Sequence, residues 1–515
     1  MADTPQVRLA EVVGALSLAT DVGMGSPLEL GLGTCLVARR LADELGCTPA
    51  EQRRVYWVAL LRHIGCTAGS HEFAALVGDE IEFRGGLGGV DFTDQRVLLS
   101  YVLRALGGDS PIGRVRALAR FVSSAGAVKE GSLAVCEVAS RLADALGFEP
   151  EVRRDITEVY ERWDGKGFPS RIPAVRVSVP ARVVAVAEAA EIFARLEGPD
   201  AARAVVTERA GHAFDPEIAA CFAAHAGAIL GALDRDDLWA DMLAAEPGTP
   251  ARPDPEALER ALRAVGDFAD LKSPYTAGHS RAVAELASGA AEHAGLDGAM
   301  QRRVLLAGLV HDVGRVGVSA IVWGKEGPLS RTEWEQVRLH PYTTERVLGR
   351  AESLRDVIAI AAAHHERLDG SGYHRGMPAS VIGRPARLLA AADAFHAMTE
   401  PRPHRPALAP EQATAELRRE ASAGRFDPDA VDAVLAAAGR PVPRRRTHVA
   451  GLTPREVEVL RLLARGMSIK AIAAELTVAP KTVDAHIQHI YAKAGVSTRA
   501  AATLFAAEHD LLETL

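Results

Sequence analysis

Apolar residues recur every three to four positions along most of the chain, as in ALERALRAVGDFADL (257–271), and alternating stretches rich in β-branched residues are few. The pattern predicts a mainly α protein. The segment IEFRGGLGGVDF (81–92) departs from it and predicts a short excursion into strand or loop. Two stretches rich in Pro and Gly, AAEPGTPARPDPE (244–256) and GRPVPRRRTH (439–448), read as linkers. They imply domains at 1–245, 257–439 and 449–515, joined by linkers at 246–256 and 440–448. In the last domain Thr453, Pro454 and Glu456 form a capping box with proline at the first helical position, and Gly466 ends that helix. A second helix is predicted over 470–476 and a third over 481–494, with Val483, Ile487, Ile490 and Ala494 on its buried stripe.

The 515 residues suggest about three domains at ~150 residues each, and 48% hydrophobic residues suffice for packed cores. A net charge of -8 gives no basic field over the whole molecule, so contact with DNA has to come from a local surface and a dimer. The five cysteines (Cys35, Cys47, Cys66, Cys136, Cys221) are odd in number and form no C-x-x-C, which fits reduced thiols. The N-terminal MADTPQVRLAEVV carries Asp3 and Glu11 and lacks a continuous apolar region, and no run of 18 apolar residues occurs. Neither a signal peptide nor a membrane span is expected, and the expected location is cytoplasmic.

The chain repeats itself. VYERWDGKGFP (159–169) matches HHERLDGSGYH (364–374), and ARVVAVAEAAEIF matches ARLLAAADAFHAM. Tyr160 lies 28 positions before Glu188, as His365 does before Asp393, and Val135 lies 24 before Val159, as His340 does before His364. PLELGLGTC (from Pro27) overlays PYTAGHSRA (from Pro274), and LLRHIGC (from Leu60) overlays LVHDVGR (from Leu309). The first copy then carries roughly 44 extra residues between Arg62 and Val135.

The second copy contains seven potential metal ligands in order: His279, His311, Asp312, His340, His364, His365 and Asp393. A dinuclear site acting on phosphodiesters needs about six ligands, with one carboxylate able to bridge the ions. The adjacent His311 and Asp312, read as lying on one helix, supply an imidazole and the bridge, and the others converge from separate helices. A lone histidine on an apolar helix is more often a hydrogen-bonded core residue; seven in this order point to metal. His365 stays open as a substrate contact instead. At these positions the first copy has Leu32, Arg62, His63, Val135, Val159, Tyr160 and Glu188. Leu and Val offer no lone pair and Arg62 repels a cation, so that copy is expected to bind no metal cluster and to serve as a regulatory or dimerising pseudo-domain.

GHSRAVAELA, LVHDVGRVGV, His340-Pro341, HHERLDGSGYHRG and ADAFHAMTEPRPHRP together resemble the HD-GYP family of HD-domain phosphohydrolases over about 257–439. The resemblance implies tandem HD-domain helical bundles, two divalent transition-metal ions, iron or manganese, held by the seven residues, and hydrolysis of cyclic di-GMP to a linear dinucleotide or GMP. Asp312 and Arg315 are then the catalytic residues. Arg315 replaces the family's lysine three positions after the HD aspartate, His374 the proline of the GYP signature, and Tyr275 a glutamate found in trinuclear members. His396, where an aspartate often stands, reads as a helix-surface histidine. Arg315, Arg402, Arg405 and Tyr373 are the candidate substrate contacts; for Arg402 and Arg405 a solvated loop is the alternative.

The segment from Leu452 resembles the LuxR-type helix-turn-helix (HTH), a four-helix module that binds double-stranded DNA. Its candidate DNA contacts are Lys470, Lys481, Thr482, Asp484, Ala485, Gln488 and Lys493. Residues 449–515 contain four Arg and three Lys against five Glu and two Asp, so one module alone should hold phosphates weakly and a homodimer is expected. Ile469 stands where asparagine is usual and Asp484 where a basic residue is common; a protein-interaction module is the alternative. The whole chain reads as a metal-dependent cyclic-dinucleotide phosphodiesterase coupled to a DNA-binding regulator. The alternatives are a slow nucleotide-sensing transcription factor and an HD phosphohydrolase acting on another nucleotide.

Overall fold

The computed structural model describes residues 7–90, 95–107, 125–234, 236–440, 451–508 and 511. The chain divides into two compact units, Met1–Pro441 and Val442–Leu515, so both sequence copies share the first unit. Among the described residues there are helices and two isolated bridges, Ala210 with Phe214 and Arg402 with Arg405, and no strand. No helix there is long and apolar enough to cross a membrane. All five cysteines are free.

The duplication is visible in the polar scaffolding. Glu161 accepts hydrogen bonds from the backbone N–H groups of Ser170, Arg171 and Ile172, and Glu366 from those of Arg375 and Met377, each closing the glycine-rich turn of its copy. Gly167 and Gly372 sit where a Cβ would come within 2.4 Å of the backbone nitrogens of Arg162 and Arg367. Likewise a Cβ on Gly65 would lie 2.0 Å from the Val135 carbonyl oxygen, and one on Gly314 2.0 Å from that of His340. Two backbones therefore cross at the same place in both copies, and only glycine fits there.

One register differs from the sequence overlay. The helices Leu30–Glu44 and His279–His293 both follow a left-handed residue, Glu29 (φ 71°) and Gly278 (φ 81°). Asp21 accepts from the N–H of Gly31, and Asp270 from that of Ser280. The counterpart of His279 is thus Leu30, not Leu32; the overlay followed the prolines, whereas the backbone follows the cap. Equal spacing carried the signal, since Leu30 precedes Arg62 by 32 residues as His279 precedes His311.

The expected excursion at 81–92 is instead the helix Glu80–Gly85 followed by glycine-rich turns, with its last residues partly outside the described ones. Asp79 caps it by accepting from the N–H groups of Ile81 and Glu82. The linker at 246–256 is tied down. Glu246 pairs with Arg8 at 2.7 Å and accepts from the N–H of Ala251, whose carbonyl accepts from that of Leu9. Most of the linker at 440–448 lies outside the described residues.

The second unit contains the helices Pro454–Ala464, Ile469–Glu475, Pro480–Ala494 and Arg499–Glu508. Thr453 and Glu456 form the expected capping box. The second and third helices each start one residue earlier than expected, the second because Ser468 caps it. Leu460, Ile472, Val483, Ile487 and Ile490 meet in one core, while Ala494 is half-buried, where the Gly495 turn lifts the chain away.

Gly65→Ala is expected to lower stability by ~2 kcal/mol, because the added methyl drives two backbones apart. The shift of the urea midpoint at constant m-value measures it.

Candidate metal centre

Seven polar side chains meet because each stands at an interruption or inward face of a helix. His279 opens the helix His279–His293, His340 opens His340–Leu348, and Asp393 lies within Arg384–Thr399. His364 and His365 occupy the turn after Arg355–Ala361. His311 follows the last residue of Gly298–Val310, and Asp312 (φ -101°, ψ 9°) precedes the 3-10 turn Val313–Gly317. The His311-Asp312 pair is therefore at a helix end rather than within a helix, as the sequence reading had it. The backbone crossing at Gly314 forces the chain out of α geometry there.

Three histidines are aimed in the same way. The Nδ1 atoms of His311, His340 and His364 each lie 2.7 Å from the carbonyl oxygen three residues earlier, at Gly308, Val337 and Ala361. Each Nε2 is thereby directed inward, where an unprotonated ring offers its lone pair to a metal. Asp312 lies between two groups. Its Oδ1 is 3.2 Å from His340 Nε2 and 3.4 Å from His364 Nε2, and its Oδ2 is 3.3 Å from His311 Nε2 and 3.7 Å from His279 Nε2. Asp393 closes the second group, 3.2 Å from His279 Nε2, and its other oxygen is 3.9 Å from His365 Nδ1. His311 Nε2 is buried without a hydrogen-bond partner. An orphaned ring nitrogen between two carboxylates fits a cation, and the donor set of imidazole and carboxylate suits first-row transition metals.

The sequence reading missed Glu400. Its carboxylate lies 2.8 Å from His279 Nδ1 and 3.4 Å from His396 Nδ1, and accepts from Arg402 at 2.8 Å. His396 is consequently at the edge of the centre, 3.2 Å from His279, and not on the helix surface. The only sequence signal was the acidic residue opening EPRPHRP. Arg315 donates to Asp312 Oδ2 at 2.8 Å and faces the Trp323 ring at 4.1 Å. Tyr373 stacks at a tilt on His365, ring centroids 4.6 Å apart, with Arg338 over its face. Arg402 also donates to the Tyr275 carbonyl. Arg405 is not brought to the centre: its guanidinium donates to the carbonyls of Ala397, Met398, Glu400 and Pro406, so it holds the loop.

The two groups carry protons differently. Burial alone would push His279 down, but the carboxylates of Asp393 and Glu400 raise it to about 9. Burial likewise opposes charge on His311, which Asp312 overrides, raising it. Burial instead lowers His364 to about 4 and, with His364 and His340 alongside, holds His365 well below its ordinary value. Asp312 stays well below the usual carboxylate range despite burial, because His311 and Arg315 face it.

In the first copy the same place holds a side-chain cation. The Arg62 guanidinium, 4% exposed, contacts the Glu188 carboxylate and His63 Nε2, and His63 Nδ1 lies 2.6 Å from the Tyr160 hydroxyl. Burial lowers Arg62 only to about 10, so it remains charged at neutral pH.

On the second unit's Pro480–Ala494 helix, Lys481, Thr482, Asp484, Ala485 and Gln488 are exposed, as is Lys470 on the preceding helix. Lys493 is not a free cation; it donates to Glu456 at 2.7 Å, which the capping box also holds.

Residues 263–430 match the HD domain family, and residues 450–506 match bacterial regulatory proteins of the luxR family. The chain therefore contains an HD-domain segment and, in its second unit, a luxR-type segment. It is 26% identical over 418 residues to the 3'3'-cGAMP-specific phosphodiesterase 3 of Vibrio cholerae, covering 79% of this chain and 90% of that one. Over 175 residues it is 37% identical to the 3'3'-cGAMP-specific phosphodiesterase 1 of the same organism, and over 183 residues 32% identical to a cyclic di-GMP phosphodiesterase of Thermotoga maritima. These shorter matches cover 33% and 35% of the chain, and 40% and 48% of those proteins, less than half of each. A solved V. cholerae cyclic GMP-AMP specific phosphodiesterase shares this fold, with a TM-score of 0.59 at 23% identity over 85% of this chain and 99% of that one.

An ion held by His279 would have to displace a proton from Nε2 below about pH 9, and one held by His364 would displace none above about pH 4. Between pH 6 and 8, therefore, one Mn²⁺ binding step should tighten as pH rises and the other should stay nearly flat. Oxygen-free calorimetric titrations in buffers of different ionisation enthalpy measure the protons released in each step.

Proposed function

We propose that the HD domain is a two-metal phosphodiesterase for cyclic dinucleotides, and that its state governs DNA binding by the luxR-type module. The observation that carries the reading is Asp312, whose two carboxylate oxygens each face a separate set of imidazoles. His340, His364 and His365 would complete one ion's ligands on the Oδ1 side. His279, His311 and Asp393 would complete the other's on the Oδ2 side. Iron or manganese suits this donor set, and two such cations polarise a phosphoryl oxygen and make water a competent nucleophile at neutral pH.

The chain's own residues do the rest. Arg315, confined between Asp312 and Trp323, presents a fixed fork to a phosphate. Arg402, held by Glu400 and the Tyr275 carbonyl, offers a second cation for the non-reacting phosphate of a dinucleotide. Tyr373, beside His365 and under Arg338, provides an aromatic face at the same edge. Support for cyclic dinucleotides as the class comes from the relatives: the one matched over 90% of its length is named for 3'3'-cGAMP, and the Thermotoga protein for cyclic di-GMP. These ligands differ in one base, so substrate choice rests on contacts to the base and not on the metal chemistry.

Two Mn²⁺ or Fe²⁺ ions per chain are the expected content after anaerobic loading, and Asp312→Ala should lose both together with hydrolysis. Elemental analysis beside chromatography of products from cyclic di-GMP and 3'3'-cGAMP measures this; full metal occupancy in Asp312→Ala sinks the assignment. Tight dinucleotide binding with no multiple turnover would favour a sensor instead.

A homodimer would place two recognition helices about one helical turn, ~34 Å, apart on near-palindromic DNA. In the full chain Lys481→Ala is expected to weaken binding to all sequences, and Gln488→Ala chiefly to alter base preference. Gel-shift titrations at fixed salt on matched and scrambled sites read both.

A further inference from the structure

Glu80 lies between Arg62 and Val135, the interval in which the first copy carries its extra residues, yet its carboxylate bonds to the second copy. It is 0% exposed. Oε2 accepts from the Ser319 hydroxyl at 2.6 Å, Oε1 accepts from the backbone N–H of Ala320 at 2.9 Å, and Lys272 Nζ lies 2.7 Å from Oε1. Ser319 stands at the N-cap of the one-turn helix Ala320–Trp323, but its hydroxyl does not cap that helix. The cap is supplied from the other copy.

That turn reaches the metal centre in one step. Trp323, its last residue, donates its indole N–H to the Arg315 carbonyl at 3.2 Å and lays its ring against the Arg315 guanidinium at 4.1 Å. Arg315 in turn donates to Asp312 Oδ2. The first copy supports the same wall twice more. His71 packs on Gly324, where a Cβ would come within 2.8 Å of its ring, and Val22 packs on Gly317, where a Cβ would come within 2.7 Å. An arginine has several soft torsions, so two confining surfaces are needed to hold its fork. Were Asp312 shared with cations, its grip on Arg315 would weaken and Trp323 would be the surface that remains.

We propose that Glu80 is a positioning residue for the hydrolytic site: by capping the Ser319–Trp323 turn it sets Trp323 against Arg315, making the degenerate copy a working part of the catalytic copy's phosphate-binding wall. The inference rests on Arg315 binding phosphate in the phosphodiesterase reading. In the full chain, Glu80→Ala is expected to keep its metal content and lose about tenfold in kcat/KM, the scale set by small misplacements of a binding group. In metal-free protein the amides of 320–323 should exchange hydrogen faster, a readout independent of turnover. Trp323→Ala should reproduce the kinetic loss, and the double variant should be no worse than the worse single one, as for residues acting in series. Because Glu80→Ala leaves Lys272 buried without a partner, Glu80→Gln combined with Lys272→Met is the second variant. It keeps an acceptor for Ala320 and a partner for Ser319, and should recover most of the lost activity. Additive losses, or unchanged exchange and kinetics in an active wild-type background, overturn the positioning role. A wild-type protein that hydrolyses neither cyclic di-GMP nor 3'3'-cGAMP overturns the functional reading instead, and unchanged exchange would then still overturn the link from Glu80 to the turn.

Discussion

Asp312 keeps a negative charge at a position only 2% exposed, and a carboxylate there costs several kcal/mol unless cations and donors surround it. Arg315 and His311 provide the charge, His279, His340 and His364 stand around the same carboxylate, and the five arrive from four separate stretches of the chain. The helix ends that deliver them are therefore mutually dependent. Shifting one leaves the carboxylate short of a partner and the others without their common anion. The carbonyls behind His311, His340 and His364 complete the constraint, fixing each ring before any ion arrives.

The two copies separate what makes this fold from what makes its chemistry. The glycine crossing, the buried glutamate under the turn and the aspartate capping the helix after a left-handed residue are the same in both. These features satisfy backbone groups, and backbone groups do not change with sequence. The residues at the seven ligand positions, by contrast, differ between the copies at every one.

The helical class and the Thr453 capping box were legible in the sequence because each depends on local spacing, and the seven candidate ligands because their types and order form a recognisable pattern. What was not legible depends on which atoms face each other across the fold. Glu400 reads as one more acidic loop residue until the chain brings it to His279, and Arg405 and Lys493 read as free cations until their partners are seen. The register error at Leu32 came from matching residue types where the backbone cap decides. The contact from Glu80 to Ser319 spans 239 residues and left no local trace.

Arg62 places a positive charge beside Glu188 and His63 that is part of the polypeptide. An ion in the second copy exchanges with its surroundings, so that lobe's charge balance depends on metal supply, oxidation and competing chelators. A guanidinium does not dissociate. The first copy thus needs no ion to balance Glu188, and it is this copy that presents Glu80, Val22 and His71 to its neighbour. The first copy's cation is tethered where the second copy's would be exchangeable, so a frame built on the first would stand through starvation for metal.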